Sequence, residues 1–454
     1  MKRHFRPRWH YTPPAGWIND PNGLCMVGET YHLFAQHHPD GTDWGPMHWA
    51  HATSRDLLHW QHQPIALAPD EYGMAFSGGA VLDKANTSGF AGPGADPAMV
   101  LMYCQSGRVQ QQGIAWSTDY THFQPYDKNP VIPNGGLRDF RDPKPFWNPM
   151  LKCWGCVVAS GDHIDFYRSD DLKRWHWTNA FGPAGNLPGV WECPDFFALP
   201  SPDGQLKWVL VVSMGRAKED GGSCTQYFLG SFDGTAFLAD PTGETRLVDP
   251  GFDNYAAITF ENAPERIQIG WASNWTYAGL TPTGSYRGAM TLPRILSLRQ
   301  TPSGLRLAAQ PCQALDLLLK PAARLEAGEK DRSLSLTTES FGIRLTGKGP
   351  VSVSLANDAG ERLCFGLTDP DTFFLDRSQA SLLRFSDWYD RPLFQQLRVP
   401  RRVSGPYDMT FYFDVSICDW FADAGLLAVT SAVYPASPYT RLEVDGDAVL
   451  TLLI

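Results

Sequence analysis

Four copies of one short pattern set the frame of this chain. Ser-x-Asp-x-x-x-aromatic occurs with Ser54, Asp56 and Trp60, then Ser117, Asp119 and Phe123, then Ser169, Asp171 and Trp175, then Ser231, Asp233 and Phe237. The starts lie 63, 52 and 62 residues apart, and the copies follow β-rich runs such as Gly113-Ile114-Ala115-Trp116 or Ile164-Asp165-Phe166-Tyr167. Ser-x-Asp alone opens many turns. Recurrence at this spacing, with room for several strands per unit, predicts the blades of a β-propeller. A fifth unit fits between Asp253 and about residue 300, where Ile269-Gly270-Trp271-Ala272-Ser273-Asn274-Trp275 supplies a strand. Glycine and proline clusters punctuate short apolar runs, and long stretches with helical period are scarce, so the pattern is all-β.

With 454 residues the chain is too long for one ordinary core. Its character shifts after Pro293-Arg294, where a hairpin-like piece (Ile295 to Leu298, then Leu305 to Leu307) leads to Gln310-Pro311-Cys312. From about residue 326 apolar and polar residues alternate, as in Val351-Ser352-Val353-Ser354-Leu355. The expected organisation is a propeller over 1–300, a linker over 301–325 and a β-sandwich over 326–454.

Composition narrows the function. A formal charge of −10 and no basic block argue against nucleic acid or an anionic membrane as partner, and favour a neutral small molecule. No apolar run is long enough to span a bilayer. The first residues, Met1-Lys2-Arg3-His4-Phe5-Arg6, lack the apolar stretch of a signal peptide, so a cytoplasmic location is expected. In that setting Asn86-Thr87-Ser88 and Asn274-Trp275-Thr276 carry no meaning as glycosylation acceptors. Nine cysteines do not form a disulfide framework by spacing, and Cys153-Trp154-Gly155-Cys156 reads as part of a buried strand. His37, His38, His48 and His51 fit no zinc spacing. No metal and no cofactor are expected. Oligomeric state stays open, a homo-oligomer included.

Acid-proline pairs supply the chemistry. Asn19-Asp20-Pro21-Asn22-Gly23, Arg141-Asp142-Pro143 and Glu192-Cys193-Pro194-Asp195 precede Ser-x-Asp marks by 34, 27 and 39 residues. Each motif alone reads as a tight turn. At equivalent places in blades one, three and four, they bring three carboxyls to one end of the propeller axis. Two positioned carboxyls are the minimum for glycoside hydrolysis, and a third can hold substrate hydroxyls. Asn19 and Gln36 suit hydroxyl recognition. The many Trp, Tyr and Phe side chains suit stacking on sugar faces.

These motifs carry a resemblance to glycoside hydrolase family 32, the β-fructofuranosidases: invertases, exo-inulinases and levanases. It rests on Trp17-Ile18-Asn19-Asp20-Pro21-Asn22-Gly23, Trp44-Gly45-Pro46-Met47-His48-Trp49, Phe76-Ser77-Gly78, Phe140-Arg141-Asp142-Pro143-Lys144, Trp191-Glu192-Cys193-Pro194-Asp195, Tyr286 to Arg294 and Phe374-Leu375-Asp376-Arg377-Ser378. It covers nearly the whole chain. The resemblance implies a five-bladed propeller joined to a β-sandwich. It implies Asp20 as nucleophile on the anomeric C2 of a terminal β-fructofuranoside, Glu192 as general acid and then base, and Asp142 as transition-state stabiliser. Asn19, Gln36, Trp44, Phe76, Ser77, Arg141 and Trp271 match positions expected to bind the sugar. In a retaining enzyme the two catalytic carboxyls are about 5–5.5 Å apart.

The chain departs from the family's common pattern at Ala35 beside Gln36, at His38, at Gly79 of Ser77-Gly78-Gly79, at Asn254 and at Tyr286. None removes a carboxylate, and the changes bear on the pocket rim. The stretch from Phe76 to Phe90 is more similar to the levanase and inulinase branch. Three other readings use the same residues: a fructosyltransferase, a sugar-binding propeller without catalysis, and an inverting arabinanase-like enzyme.

Overall fold

Each Ser-x-Asp pair closes the third strand of a blade. The computed structural model describes residues 4–185, 188–329 and 331–454. Ser54, Ser117 and Ser169 end the strands His48–Ser54, Gln110–Ser117 and His163–Ser169, and Ser231 lies in Ser223–Phe232. Asp56 Oδ1 accepts hydrogen bonds from Leu58 N and His59 N at 3.0 and 2.8 Å. Asp119 and Asp171 hold the corresponding N–H groups in blades two and three. The turns force Leu57, Tyr120 and Leu172 to φ of 70°, 60° and 61°. That left-handed region is costly for side chains of this size, and the Ser and Asp caps hold it in place.

Five antiparallel sheets follow in chain order. Their innermost strands are Gly16–Val27, Met74–Asp83, Arg141–Asn148, Val190–Pro200 and Tyr255–Thr259. Blade five is completed by Ile267–Trp271, Arg294–Thr301 and Gly304–Pro311. The ring closes where Tyr286–Arg287 pairs in parallel with Gly16 and Trp17, and where Met26 N donates to Glu261 O at 3.0 Å.

The boundary differs from the expected linker of 301–325. Leu305 and Leu307 belong to the outer hairpin of blade five, so the propeller runs to Pro311. A short helix, Ala314–Leu318, follows, and Pro321–Leu325 already pairs with the strand Arg441–Leu453 of the second domain. The alternation in Leu305-Arg306-Leu307 is that of a half-buried strand rather than coil.

Two long strands, Ser340–Ala356 and Arg441–Leu453, pair along their length and run through both sheets of the sandwich. The first half of Ser340–Ala356 also pairs with Tyr407–Asp414, and its second half with Arg362–Asp369. The register breaks between Gly347 and Val351. Opposite this break Gly446 has φ 112°, and a Cβ there would come 2.6 Å from Pro350 O. The break turns each strand from one sheet into the other. Phe365 and Phe411 stack at 4.0 Å in the core between the sheets, with Trp420 against them.

Buried charges join the two domains. Arg377 of the sandwich meets propeller Asp253 at 2.7 Å and also donates to the Ala432 and Phe394 carbonyls. Arg294 of blade five meets Asp249 at 2.8 Å and sandwich Asp419 at 3.4 Å. His10 lies between Asp414 and Asp419, at 2.9 and 2.8 Å. Burial alone would lower the His10 pKa, but hydrogen bonds and charge from both aspartates outweigh it and raise the value to about 9. Inside blade one, His32 and His51 meet at 3.1 Å, with His51 stacked on Phe34. Burial pushes these two down, to about 4 and about 3.

The two sites act on stability in opposite directions. The contribution of His10 is complete below its ordinary pKa of 6.5 and is lost as pH rises through about 9. The neutral His32–His51 pair stabilises the fold above 6.5, and that contribution fades as pH falls toward 4. A histidine whose pKa moves by one pH unit on folding changes stability by about 1.4 kcal/mol. Taken by themselves, the histidine contributions to melting temperature are jointly largest near pH 6.5, and the matched variants isolate them from the carboxyls. His51→Gln should flatten the acid side, and His10→Gln should flatten the alkaline side while lowering the maximum. A melting temperature that changes equally in the wild type and in His10→Gln between pH 6.5 and 9 would contradict the His10 assignment.

Candidate active site

The three acid-proline motifs form β-bulges inside continuous strands rather than the turns their sequences suggest. Between Ile18 and Pro21, two residues of the innermost strand face one of its neighbour. The same two-against-one arrangement occurs at Asp142-Pro143, at Cys193-Pro194 and at Ala256-Ala257, and one residue is inserted at Ser77 in blade two. All five blades thus break their innermost ladder near the same end of the axis. A bulge re-aims side chains and leaves an N–H unpaired, a position that proline tolerates. Asp142, Cys193 and Ala256 sit there at φ of 62°, 46° and 54°. Strain of this kind persists only where the surrounding structure enforces it.

The bulges bring together the acids of blades one, three and four. Asn19, Asp20, Gln36, Trp44, Phe76, Ser77, Arg141, Asp142 and Glu192 line one cleft of about 250 Å³ with Trp275. Asp20 Oδ2 accepts from Ser77 Oγ at 2.7 Å, while its buried Oδ1 has no hydrogen-bond partner among the described residues. Asp142 Oδ2 accepts from Cys193 N at 2.9 Å. Glu192 is held from both sides: Arg141 Nη2 donates to Oε1 at 2.9 Å, and the Tyr255 hydroxyl donates to Oε2. The neighbouring polar groups are themselves fixed. Trp17 Nε1 donates to Asn19 Oδ1 at 2.7 Å, Gln36 Nε2 to Ala75 O at 2.9 Å, and Gly78 N to Asn22 Oδ1 at 3.1 Å.

Crowded carboxyls in a buried site titrate as a group. Burial raises the Asp142 pKa to about 7; Arg141 opposes the rise, and Glu192 and Asp20 add to it. Burial also raises Asp20, against the Ser77 hydrogen bond. The cluster therefore keeps a proton into the neutral range. Cys193 Sγ lies 3.4 Å from Asp20 Oδ2 and 3.6 Å from Asp142 Oδ2. Burial, with the charges of both aspartates, pushes this thiol far above its ordinary range, so it serves as a neutral spacer and weak donor.

The axis is filled below the acids. Lys144 follows Asp142-Pro143, and Asp195 follows Cys193-Pro194. Lys144 Nζ donates to Thr259 O at 2.7 Å and lies 3.5 Å from Asp195 and 3.4 Å from Glu261. Asp195 Oδ2 accepts from Thr259 N at 2.6 Å. Blades three, four and five are thus tied together directly beneath the bulges. Gly79 makes room for this crossing: a Cβ there would lie 2.9 Å from Lys144 Cδ and 2.8 Å from Pro145 Cδ.

Trp271 is the one expected sugar-binding residue that the structure places elsewhere. Its ring is fully buried behind the cleft, against Trp17 at 5.8 Å and Trp275 at 4.8 Å. Its strand packs into the ring of blades, and Trp275, just beyond it, reaches the cleft. Trp44 forms the exposed rim and meets Phe76 edge-on at 6.1 Å. The other departures have local roles. His38 Nδ1 contacts Asp43 O at 2.9 Å, Asn254 donates to Asp249 at 3.2 Å, the Tyr286 hydroxyl donates to Phe5 O at 2.9 Å, and Ala35 is fully buried. Tyr255, Cys193, Trp275 and Lys144 escaped the sequence reading. Tyr255 had a usable signal, because Tyr255-Ala256-Ala257 occupies in blade five the place that the acids occupy in their blades.

Keeping the acids together costs stability. A carboxyl with a raised pKa stabilises the fold fully below its ordinary 3.8 and loses that contribution as pH rises through about 7. For Asp142 the loss amounts to at most about 4 kcal/mol. Asp142→Asn should therefore raise the melting temperature by about 3–6 °C at pH 8 and by little at pH 4. Thermal melts of both proteins at the two pH values check this, and an unchanged or lower value at pH 8 contradicts it.

Comparison with known proteins agrees with this geometry. Residues 10–311 match the glycosyl hydrolases family 32 N-terminal domain, and residues 323–449 match the glycosyl hydrolases family 32 C-terminal domain. A levanase of Bacillus subtilis is 38% identical over 97% of this chain and 68% of its own length. An extracellular exo-inulinase of Aspergillus niger is 34% identical over 98% of this chain and 92% of its own. The crystal structure of the exo-inulinase from Aspergillus awamori superposes with a TM-score of 0.90 at 30% identity, covering 99% of this chain and 98% of that one. Family models matching both domains in order, on a five-bladed propeller that gathers three acids at one cleft, leave a single assignment: the chain belongs to glycoside hydrolase family 32 and is a β-fructofuranosidase-like glycoside hydrolase.

Proposed function

We propose that the enzyme is a retaining, exo-acting β-fructofuranosidase that removes terminal fructose from sucrose and from short fructo-oligosaccharides, inulin or levan. The observation that carries this reading is the convergence of Asp20, Asp142 and Glu192 on one small cleft. Its volume of about 250 Å³ lies below the range of about 300–1,000 Å³ found for drug-sized ligands. It suits one terminal ring, while the remainder of the substrate passes the Trp44 and Trp275 rim. The fructofuranosidase of Schwanniomyces occidentalis, 27% identical with a TM-score of 0.88, has been solved with fructose. The levanase and exo-inulinase relatives support fructans as substrates alongside sucrose.

Each side chain has a task in this reading. Asp20 attacks C2 through its carboxylate while Ser77 holds Oδ2. The bond from C2 to the leaving oxygen breaks, and Glu192 supplies that oxygen with a proton. Glu192 then takes a proton from water as the water oxygen attacks C2, and the ester to Asp20 is released. Arg141 and Tyr255 fix the Glu192 carboxyl through both exchanges. Asp142 receives fructose hydroxyls, and with Asp20 it stabilises positive charge developing at C2.

Glu192→Gln should lower kcat on sucrose by about 10³-fold or more, yet slow the first step on an activated aryl fructoside far less, since that leaving group needs no proton. Equal losses on both substrates in pre-steady-state assays would remove Glu192 from the acid role. Fructose release from sucrose, raffinose, inulin and levan ranks the substrates. Kestose-type products in place of free fructose at high sucrose would assign a transferase instead.

A further inference from the structure

A second cleft, of about 340 Å³, lies between the propeller and the sandwich on a chain of formal charge −10. Its charged lining is nevertheless basic. Arg246 and Arg306 enter it from the propeller, and Arg398 and Arg402 enter it from the sandwich. Glu244 answers two of them: it pairs with Arg306 and lies 3.0 Å from Arg402. Asp423 also lines the cleft, but Arg401 occupies both of its oxygens at 2.7 and 2.9 Å. Among the described residues Arg246 makes no side-chain hydrogen bond or ion pair, while the charge of Arg398 also faces Asp369. Arg246 Nε and Arg306 Nε are buried donors without a partner.

Unpaired buried donors are uncommon, and each one calls for an acceptor. Four guanidinium groups around one cleft, with Glu244 shared between two of them, leave an excess of positive charge. Burial presses the Arg306 pKa down; Glu244 opposes the fall, and Arg246 and Arg402 deepen it. The Tyr227 hydroxyl accepts from Leu307 N at 3.1 Å, which leaves its own proton available to a ligand in the cleft. Leu296, Leu307 and Phe373 supply an apolar wall. Guanidinium forks match the oxygens of a phosphate group, which accept several such donors at once.

From this arrangement we infer that the interdomain cleft binds a phosphate-bearing anion, free or carried on a small sugar. Binding bridges the two domains, because each contributes two arginines. The bound anion stabilises the folded protein by mass action. The site lies apart from the acids and shares no lining residue with their cleft.

The test uses the full chain and the double variant Arg246→Gln, Arg398→Gln, whose arginines make no side-chain hydrogen bond among the described residues. Melting temperature is followed with inorganic phosphate, with glucose 6-phosphate, with glucose, and with sodium chloride at matched ionic strength. At saturation the phosphate compounds should raise the wild-type value by about 2–5 °C, while glucose and chloride should not. The variant, freed of like-charge repulsion, should start at or above the wild-type value, keep its activity on sucrose and lose the phosphate response. An equal rise with both phosphate compounds assigns the site to free phosphate; a larger rise with the sugar phosphate assigns it to the phosphorylated sugar. The inference is overturned if phosphate does no more than chloride, or if the variant responds as the wild type does.

Discussion

Three carboxyls held in one buried cleft repel each other, and much of this propeller is arranged around that repulsion. Asp20, Asp142 and Glu192 come from three different blades, so no single hairpin can relax to separate them. The bulges that present them are strained: Asp142 and Cys193 both occupy positive φ. Arg141 supplies the compensating charge, and Cys193 adds a neutral group between two aspartates. Lys144, Asp195 and Glu261 then lock the blades just below. The result is a group of acids that stays together in one cleft.

The same logic, with the opposite balance, holds the domains together. Arg377, Arg294 and His10 are buried in full, and each meets a carboxylate of opposite charge. Both partners are desolvated, so the net stabilisation is smaller than the attraction, while the pairs still define one docking geometry. That geometry also fixes the basic interdomain cleft, where compensation is incomplete. The protein thus carries two places of unbalanced charge, one negative at the propeller axis and one positive between the domains.

Much of this architecture is legible in the sequence. The Ser-x-Asp repeat marks the third-to-fourth strand turn of four blades, because a carboxylate that caps two N–H groups leaves a pattern of fixed spacing. Two of the acid-proline motifs mark the acid-lined cleft for a related reason, since Pro143 and Pro194 take the unpaired positions of a bulge. Other features leave no such trace. Trp271 and Trp275 are both aromatic and four residues apart, and only packing decides which one reaches the cleft. Tyr255 acts through a hydroxyl whose partner is 63 residues away in the chain. The arginines of the interdomain cleft come from separate strands and loops, so no local run of basic residues announces them. The end of the propeller is hidden because the last hairpin of blade five alternates like the sandwich that follows it.

Catalysis in this account depends on Asp20 forming a covalent bond to fructose while Glu192 manages the protons. Incubating Glu192→Gln with an activated aryl fructoside separates the two events, since the first step can proceed and the second lacks its base. Peptide mass mapping of the quenched protein should find one fructosyl residue esterified to the peptide that carries Asp20. An adduct on a different carboxyl, or turnover to fructose of inverted configuration with no adduct, would contradict the account.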